Sequence, residues 1–121
     1  MPDINAWLAD TEAIDEEHRA ALAWRRIQDK PSSIAFKKPD GTTLSAQTVR
    51  IESDTSVSEA ESASGTGPRR KVIVFGVQNH ATVSDTDVAE GYRFILNNDE
   101  YRIVGLIRTL GEIQAFAEAT G

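Results

Sequence analysis

The spacing of apolar positions changes character along the chain. From Asp3 to about Gln28, the residues Ile4, Trp7, Leu8, Ile14, Ala21, Leu22 and Ile27 recur at loosely helical intervals. This predicts one long helix over 3–28, continuous or broken into two, with Asp3 placed to cap its N-terminus. Glu12, Asp15, Glu16 and Glu17 precede Arg19, Arg25 and Arg26, an order that suits the helix dipole, and Asp15 stands one turn before Arg19. Pro31 forbids continuation.

After Pro31 the pattern shortens to alternating runs. Ile34 and Phe36, then the turn Pro39-Asp40-Gly41, then Leu44, Ala46 and Thr48-Val49-Arg50-Ile51 read as strand, turn, strand. Proline presets the first bend of that turn, and glycine accepts a positive φ there. Ser53-Asp54-Thr55-Ser56-Val57-Ser58-Glu59-Ala60-Glu61-Ser62-Ala63-Ser64-Gly65-Thr66-Gly67-Pro68 carries one large apolar side chain, Val57, and is expected to be a flexible loop. Closing a loop of that length costs roughly 2.5 kcal/mol, which a small domain tolerates.

Order resumes at Arg69-Arg70-Lys71 and enters Val72-Ile73-Val74-Phe75-Gly76-Val77, a β-branched run apolar on both faces that suits a central strand. A polar stretch, Gln78 to Glu90, separates it from Tyr92-Arg93-Phe94-Ile95-Leu96 and Tyr101-Arg102-Ile103-Val104-Gly105-Leu106-Ile107. These two runs predict a β-hairpin, with Asn97-Asn98-Asp99-Glu100 as a four-residue turn. Glu112 to Ala119 reads as a last strand with Ile113, Ala115 and Ala117 on one face, although its alanines would also permit a short helix.

The fold class that follows is mainly β with one helix (α+β), a small β-barrel or sandwich of about six strands with an N-terminal helix and a long flexible loop. The 121 residues are expected to form a single domain, 1–121, with 32–52 and 69–119 building the barrel. No run approaches the roughly 18 apolar residues of a membrane-spanning helix. A soluble protein made in the cytoplasm, with no membrane partner, is therefore expected. The net charge of -6 argues against a surface that clamps nucleic acid throughout. An acidic wall would instead let DNA slide past.

Candidate chemistry is sparse. The chain lacks cysteine, which excludes thiolate metal clusters and cysteine nucleophiles. His18 reads as a helix-surface residue, and His80 near Asp85 and Asp87 lacks the ligand spacing of a calcium loop. The serines of 53–64 have no nucleophile elbow, and Gly65-Thr66-Gly67-Pro68 fails both phosphate-loop patterns. No catalytic residue, metal or cofactor is expected, and the chain is read as a non-enzyme. Arg69, Arg70 and Lys71 are candidate contacts to DNA phosphates or an acidic partner, with edge protection of a strand as the alternative. Trp7 and Trp24, on different faces of the helix, and Tyr92 and Phe94, on a hairpin apolar on both faces, are candidate subunit contacts. A shared core for the two tryptophans is the competing account.

The order helix, strand pair, Ser/Gly/acidic loop, strand, then Glu90-Gly91-Tyr92-Arg93-Phe94 leading into Asn98-Asp99-Glu100-Tyr101-Arg102-Ile103-Val104, resembles the head-to-tail joining (head-closure, or stopper) proteins of long-tailed bacteriophages. Leu44-Ser45-Ala46-Gln47-Thr48-Val49-Arg50-Ile51-Glu52 and Gly111-Glu112-Ile113-Gln114-Ala115 carry the same likeness, which covers most of the chain. Tyr92 departs from it, standing where Asp is common after the glycine. The resemblance implies a virion protein of the neck, made in the host cytoplasm. It implies a homo-oligomeric ring between portal or adaptor proteins and tail proteins, with DNA passing through a central channel. It also makes 53–68 the candidate channel or docking loop, with Arg69, Arg70 and Lys71 at its base. The alternatives are a head-tail adaptor or tail-terminator component, and a small monomeric cytoplasmic barrel that binds a ligand or peptide.

Overall fold

The computed structural model describes residues 4–54 and 70–120, with side chains described from residue 15 onward. Asp3, the side chain of Trp7, and residues 55–69 with Arg69 lie outside that range. Helix α1 spans Ile4–Asp29 as one continuous element. It ends where Lys30 N–H reaches back to the Ile27 carbonyl at 3.2 Å and Pro31 follows. Asp15 and Arg19 pair at 3.0 Å, as their one-turn spacing predicts.

Six strands follow: β1 Ser32–Ile34, β2 Gln47–Ser53, β3 Lys71–Val77, β4 Arg93–Leu96, β5 Asp99–Thr109 and β6 Glu112–Ala119. They form one antiparallel sheet in the order β1-β2-β3-β6-β5-β4. The sheet curls until its ends almost meet. Just past β1, Lys37 N–H donates to the Arg93 carbonyl at 2.7 Å and Arg93 N–H donates back at 2.9 Å, which zips β1 to β4 at one point. The result is the small, nearly closed β-barrel with an N-terminal helix that the strand count predicts.

Inward residues fill the barrel. Phe36, Val49, Ile51, Val72, Val74, Phe94, Tyr101, Ile103 and Ile113 are buried together. On the β5–β6 ladder each inward alanine faces a larger partner: Tyr101 opposite Ala119, Ile103 opposite Ala117, Leu106 opposite Ala115. Large against small is how a narrow barrel reaches interior packing density without strain. The alternation fixes β6 as a strand, because a helix would scatter Ile113, Ala115, Ala117 and Ala119 around its circumference.

Three local expectations shift. The Pro39-Asp40-Gly41 turn forms, with Gly41 at φ +97 and Asp40 Oδ1 accepting Thr42 N–H at 2.8 Å. Leu44, however, stands before β2 and bonds back to the Phe36 carbonyl at 2.8 Å. The β4–β5 turn is two residues rather than four. Asn97 and Asn98 take φ +52 and +69, a type I′ arrangement, so Asp99 and Glu100 enter the ladder opposite Leu96 and Ile95. Finally, the expected loop does not begin at Ser53. Ser53 pairs with Val72, and Asp54 N–H donates to the Lys71 carbonyl at 2.9 Å, because the β2–β3 ladder carries on.

The helix lies across the outer face at one end of the sheet. Ala20, Ala23 and Ile27 bury against Val77, with Trp24 and Val83 beside them. A Cβ at Gly111, in the β5–β6 turn, would strike the backbone of Ala20 and pass 2.8 Å from its Cα, so only glycine lets the turn approach the helix this closely. Arg26 reaches Glu112 at 3.2 Å, and Arg50 Nη1 donates to the Arg26 carbonyl at 3.1 Å. The polar stretch from Gln78 to Glu90 is strapped down by its ends and middle. Thr86 N–H donates to the Val77 carbonyl, Val77 N–H donates to Thr86 Oγ1, both at 2.9 Å, and the Gln47 amide brackets the backbone of Asp87.

Candidate assembly surface

Barrel strands have a second face, and strand register places its side chains in rows. Ile73 of β3 stands opposite Phe116 of β6, which stands opposite Gly105 of β5. One step along, Phe75 faces Gln114, which faces Ile107. The inward neighbours of these residues are buried in the core, so the period of two points Ile73, Phe75, Phe116 and Ile107 outward. Ile73, Phe75 and Phe116 are half-buried, Ile107 is 49% exposed, and among the described residues none of the four joins either core cluster.

A bulge enlarges this apolar face. The register passes from Ile103 opposite Ala117 to Gly105 opposite Phe116, leaving Val104 as the extra residue, 38% exposed. Gly105 then sits across from Phe116, and a Cβ built on it would meet nothing within 4 Å. The Phe116 ring therefore borders a notch. Leu110, in the turn beside the helix, and Leu22, between the two arginines Arg19 and Arg26 along the helix, are also exposed. An apolar face of this kind on the outside of a barrel whose inside is already filled is a surface that association would bury.

No family model, curated protein or solved structure matches the chain. The fold and its surfaces must therefore carry the functional argument themselves. Among the described residues, no helix is long and apolar enough to cross a membrane.

The residues singled out from sequence land in different places. Phe94 is 2% exposed: its ring stacks on Tyr101 at 5.4 Å and meets Phe36 edge-on at 5.5 Å. The hairpin face carrying Tyr92, Phe94 and Leu96 turns inward, which corrects the expectation that Phe94 meets a neighbour. Tyr92 is half-buried against that core, and its hydroxyl donates to Asp87 at 3.4 Å. Trp24 lies half-buried against Val83 and the edge of His80, at 6.4 Å between ring centres, so it serves the helix-to-barrel packing. His80 itself is a local cap, its Nδ1 accepting Thr82 and Val83 N–H at 3.1 Å each.

Of the basic triplet, Arg70 is 73% exposed along its side chain and pairs with Asp99 at 2.5 Å, tying the start of β3 to the tip of the β4–β5 hairpin. Lys71 is half-buried at the start of the strand. A different cationic row emerges on the outer face, where Lys37 stands opposite Arg93 and Arg93 opposite Arg102. These three residues are 56 and 9 positions apart in sequence. No local run of charge marks them, because antiparallel pairing and barrel closure alone bring them side by side.

Proposed function

We propose that the chain is a structural protein that works by assembly with copies of itself, and specifically that it is a head-to-tail joining protein of a long-tailed phage. The outer apolar face supports the assembly part. Ile73, Phe75, Phe116, Val104 and Ile107 remain on the surface of a barrel whose own core needs none of them. Burial of such a face between neighbours contributes on the order of 25 cal/mol per Å² of apolar area removed from water. The motif likeness described above supports the specific part. In this reading the barrel is one segment of a ring between portal or adaptor proteins and the tail, and DNA passes through the ring's centre rather than through the filled barrel.

The filled interior weighs against a barrel that holds a small ligand within itself, since Phe36, Phe94, Ile103 and Ile113 occupy that volume. Two experiments test the proposal. Mass spectrometry of purified particles followed by electron microscopy of the neck is expected to find the chain as ring density at the head-to-tail junction. Deleting Ser56 to Gly67 is expected to leave folding intact and abolish joining or DNA retention; normal infectious particles from that deletion would overturn the assignment of the segment.

A further inference from the structure

The barrel closes at one point and opens immediately beside it. Lys37 and Arg93 exchange both backbone hydrogen bonds, at 2.7 and 2.9 Å. In an antiparallel ladder the next pair with backbone groups facing each other lies two residues along, at Ala35 and Ile95. No hydrogen bond joins those two, the Lys37–Arg93 bridge stands isolated, and both residues are exposed, Ile95 at 67%. A groove of about 350 Å³ occupies the gap, lined by Ala35, Lys37, Thr43, Arg93, Ile95 and Glu100. The N–H and C=O of Ile95 thus face open space on a strand whose other edge is fully paired with β5.

We propose that this seam is a docking site for an extended segment of another protein chain, which pairs with the backbone groups of Ile95 at the edge of β4 and carries carboxylates on its outward side. The chemistry follows from the neighbours. A strand pairing with Ile95 places every second side chain on the same side as Ile95 and Arg93, that is, outward. There it meets Lys37 and Arg93, like charges in directly opposed positions that an anion relieves, while Arg102, next in the row, already stands opposite Glu118. Glu100 offsets part of this charge through an exposed contact to Arg93 at 3.6 Å, and Lys37 has no ion-pair partner among the described residues. The intervening side chains point toward Phe94 and Leu96 and are therefore apolar. Nucleic acid is a poorer fit, because a phosphate accepts from the Ile95 N–H but cannot donate to its carbonyl. This site is independent of the outer apolar face and of the ring reading.

The probe is a blocked, fluorescein-labelled peptide, Ser-Val-Glu-Val-Glu-Val-Ser, titrated into the full chain and followed by anisotropy. Saturable binding is expected. N-methylation of its two glutamate amides, one of which pairs with the Ile95 carbonyl in this register, is expected to weaken it at least about tenfold, while N-methylation of the outer two valines leaves it nearly unchanged. Ile95→Pro removes the donor facing the groove together with the isoleucine side chain, a change an edge position tolerates, and is expected to weaken binding by a similar factor with an unaltered thermal melt. Lys37→Glu is expected to weaken it most at low salt. No saturable binding, equal binding of both N-methylated peptides, or full displacement of the peptide by a short DNA duplex overturns the proposal.

Discussion

Val77 and Ile107 both point outward from the same barrel and are both β-branched, yet Val77 is 1% exposed and Ile107 is 49% exposed. The difference is the helix. Where α1 crosses the sheet, Ala20, Ala23 and Ile27 cover the outer apolar side chains and small residues allow close approach. Where α1 does not reach, Ile107 and Val104 stay in contact with water, and Phe116 is sheltered only in part. One sheet face is thus covered in part by the helix and in part left exposed. The same contrast appears at two glycines of adjoining elements: Gly111 is pressed against helix backbone, and Gly105 faces open space.

The strongest break of this comparison goes through the interior that both halves share. Phe94→Ala removes a ring held between Phe36 and Tyr101 and is expected to cost about 4 kcal/mol of folding stability, read by urea unfolding. Phe116→Ala on the outer face is expected to cost about 1 kcal/mol, since that ring is only partly buried in the monomer. Equal losses at the two positions would show that the outer face is part of the folding core.

The two glycines give the next test. Gly111→Val adds a branched side chain where a Cβ already meets the Ala20 backbone, at a residue with φ +77. Strain and loss of helix contact together are expected to cost about 3 kcal/mol. Gly105→Val fills empty space and is expected to change monomer stability by no more than about 0.5 kcal/mol. If the Phe116 notch accepts a neighbour, the same Gly105 variant fails to assemble, which sedimentation velocity and particle yield would register.

Much of this contrast was legible in the sequence, and the part that was not has a physical cause. The helix, the turn at Gly41, the central strand and the last strand all follow from local periodicity and turn chemistry, which depend only on neighbours in the chain. The inward direction of Phe94 does not, because a strand apolar on both sides leaves its orientation open until closure picks a face. Asp99 and Glu100 read as turn residues by type, but two asparagines that accept positive φ make a tighter turn and draw both acids into the ladder. The bulge at Val104, the notch beside Phe116 and the row of Lys37, Arg93 and Arg102 depend on register across strands far apart in sequence. Periodicity within one segment carries no information about that register.

A smaller effect separates stability from association on the outer face. Ile107→Ser and Val104→Ser, at positions already in water, are expected to shift the unfolding free energy by about 0.5 kcal/mol or less each. Under the assembly reading they lower the extent of self-association at a given concentration. A pair of variants that assembles as the parent does would move the contact elsewhere on the surface.

The smallest expected effect lies at the turn before the seam. The Thr42 backbone N–H, with the Thr42 hydroxyl adding to it, holds the Asp40 carboxyl below its ordinary 3.8, and nearby Lys38 acts in the same direction. A carboxyl whose folded value is depressed contributes stability above its unfolded value, and that contribution fades as pH falls through the lower, folded one. The melting temperatures of the parent and of Asp40→Ala are therefore expected to differ slightly at neutral pH and to converge below pH 3.8. Asp40→Asn keeps an acceptor for Thr42 without a titrating charge, so its difference from the parent changes with pH by the same amount as that of the alanine variant, offset by the retained hydrogen bond. Convergence of the alanine variant above pH 5 instead would place the stabilising charge on another carboxylate, and would leave the closing turn at Lys37 held by its backbone bonds alone.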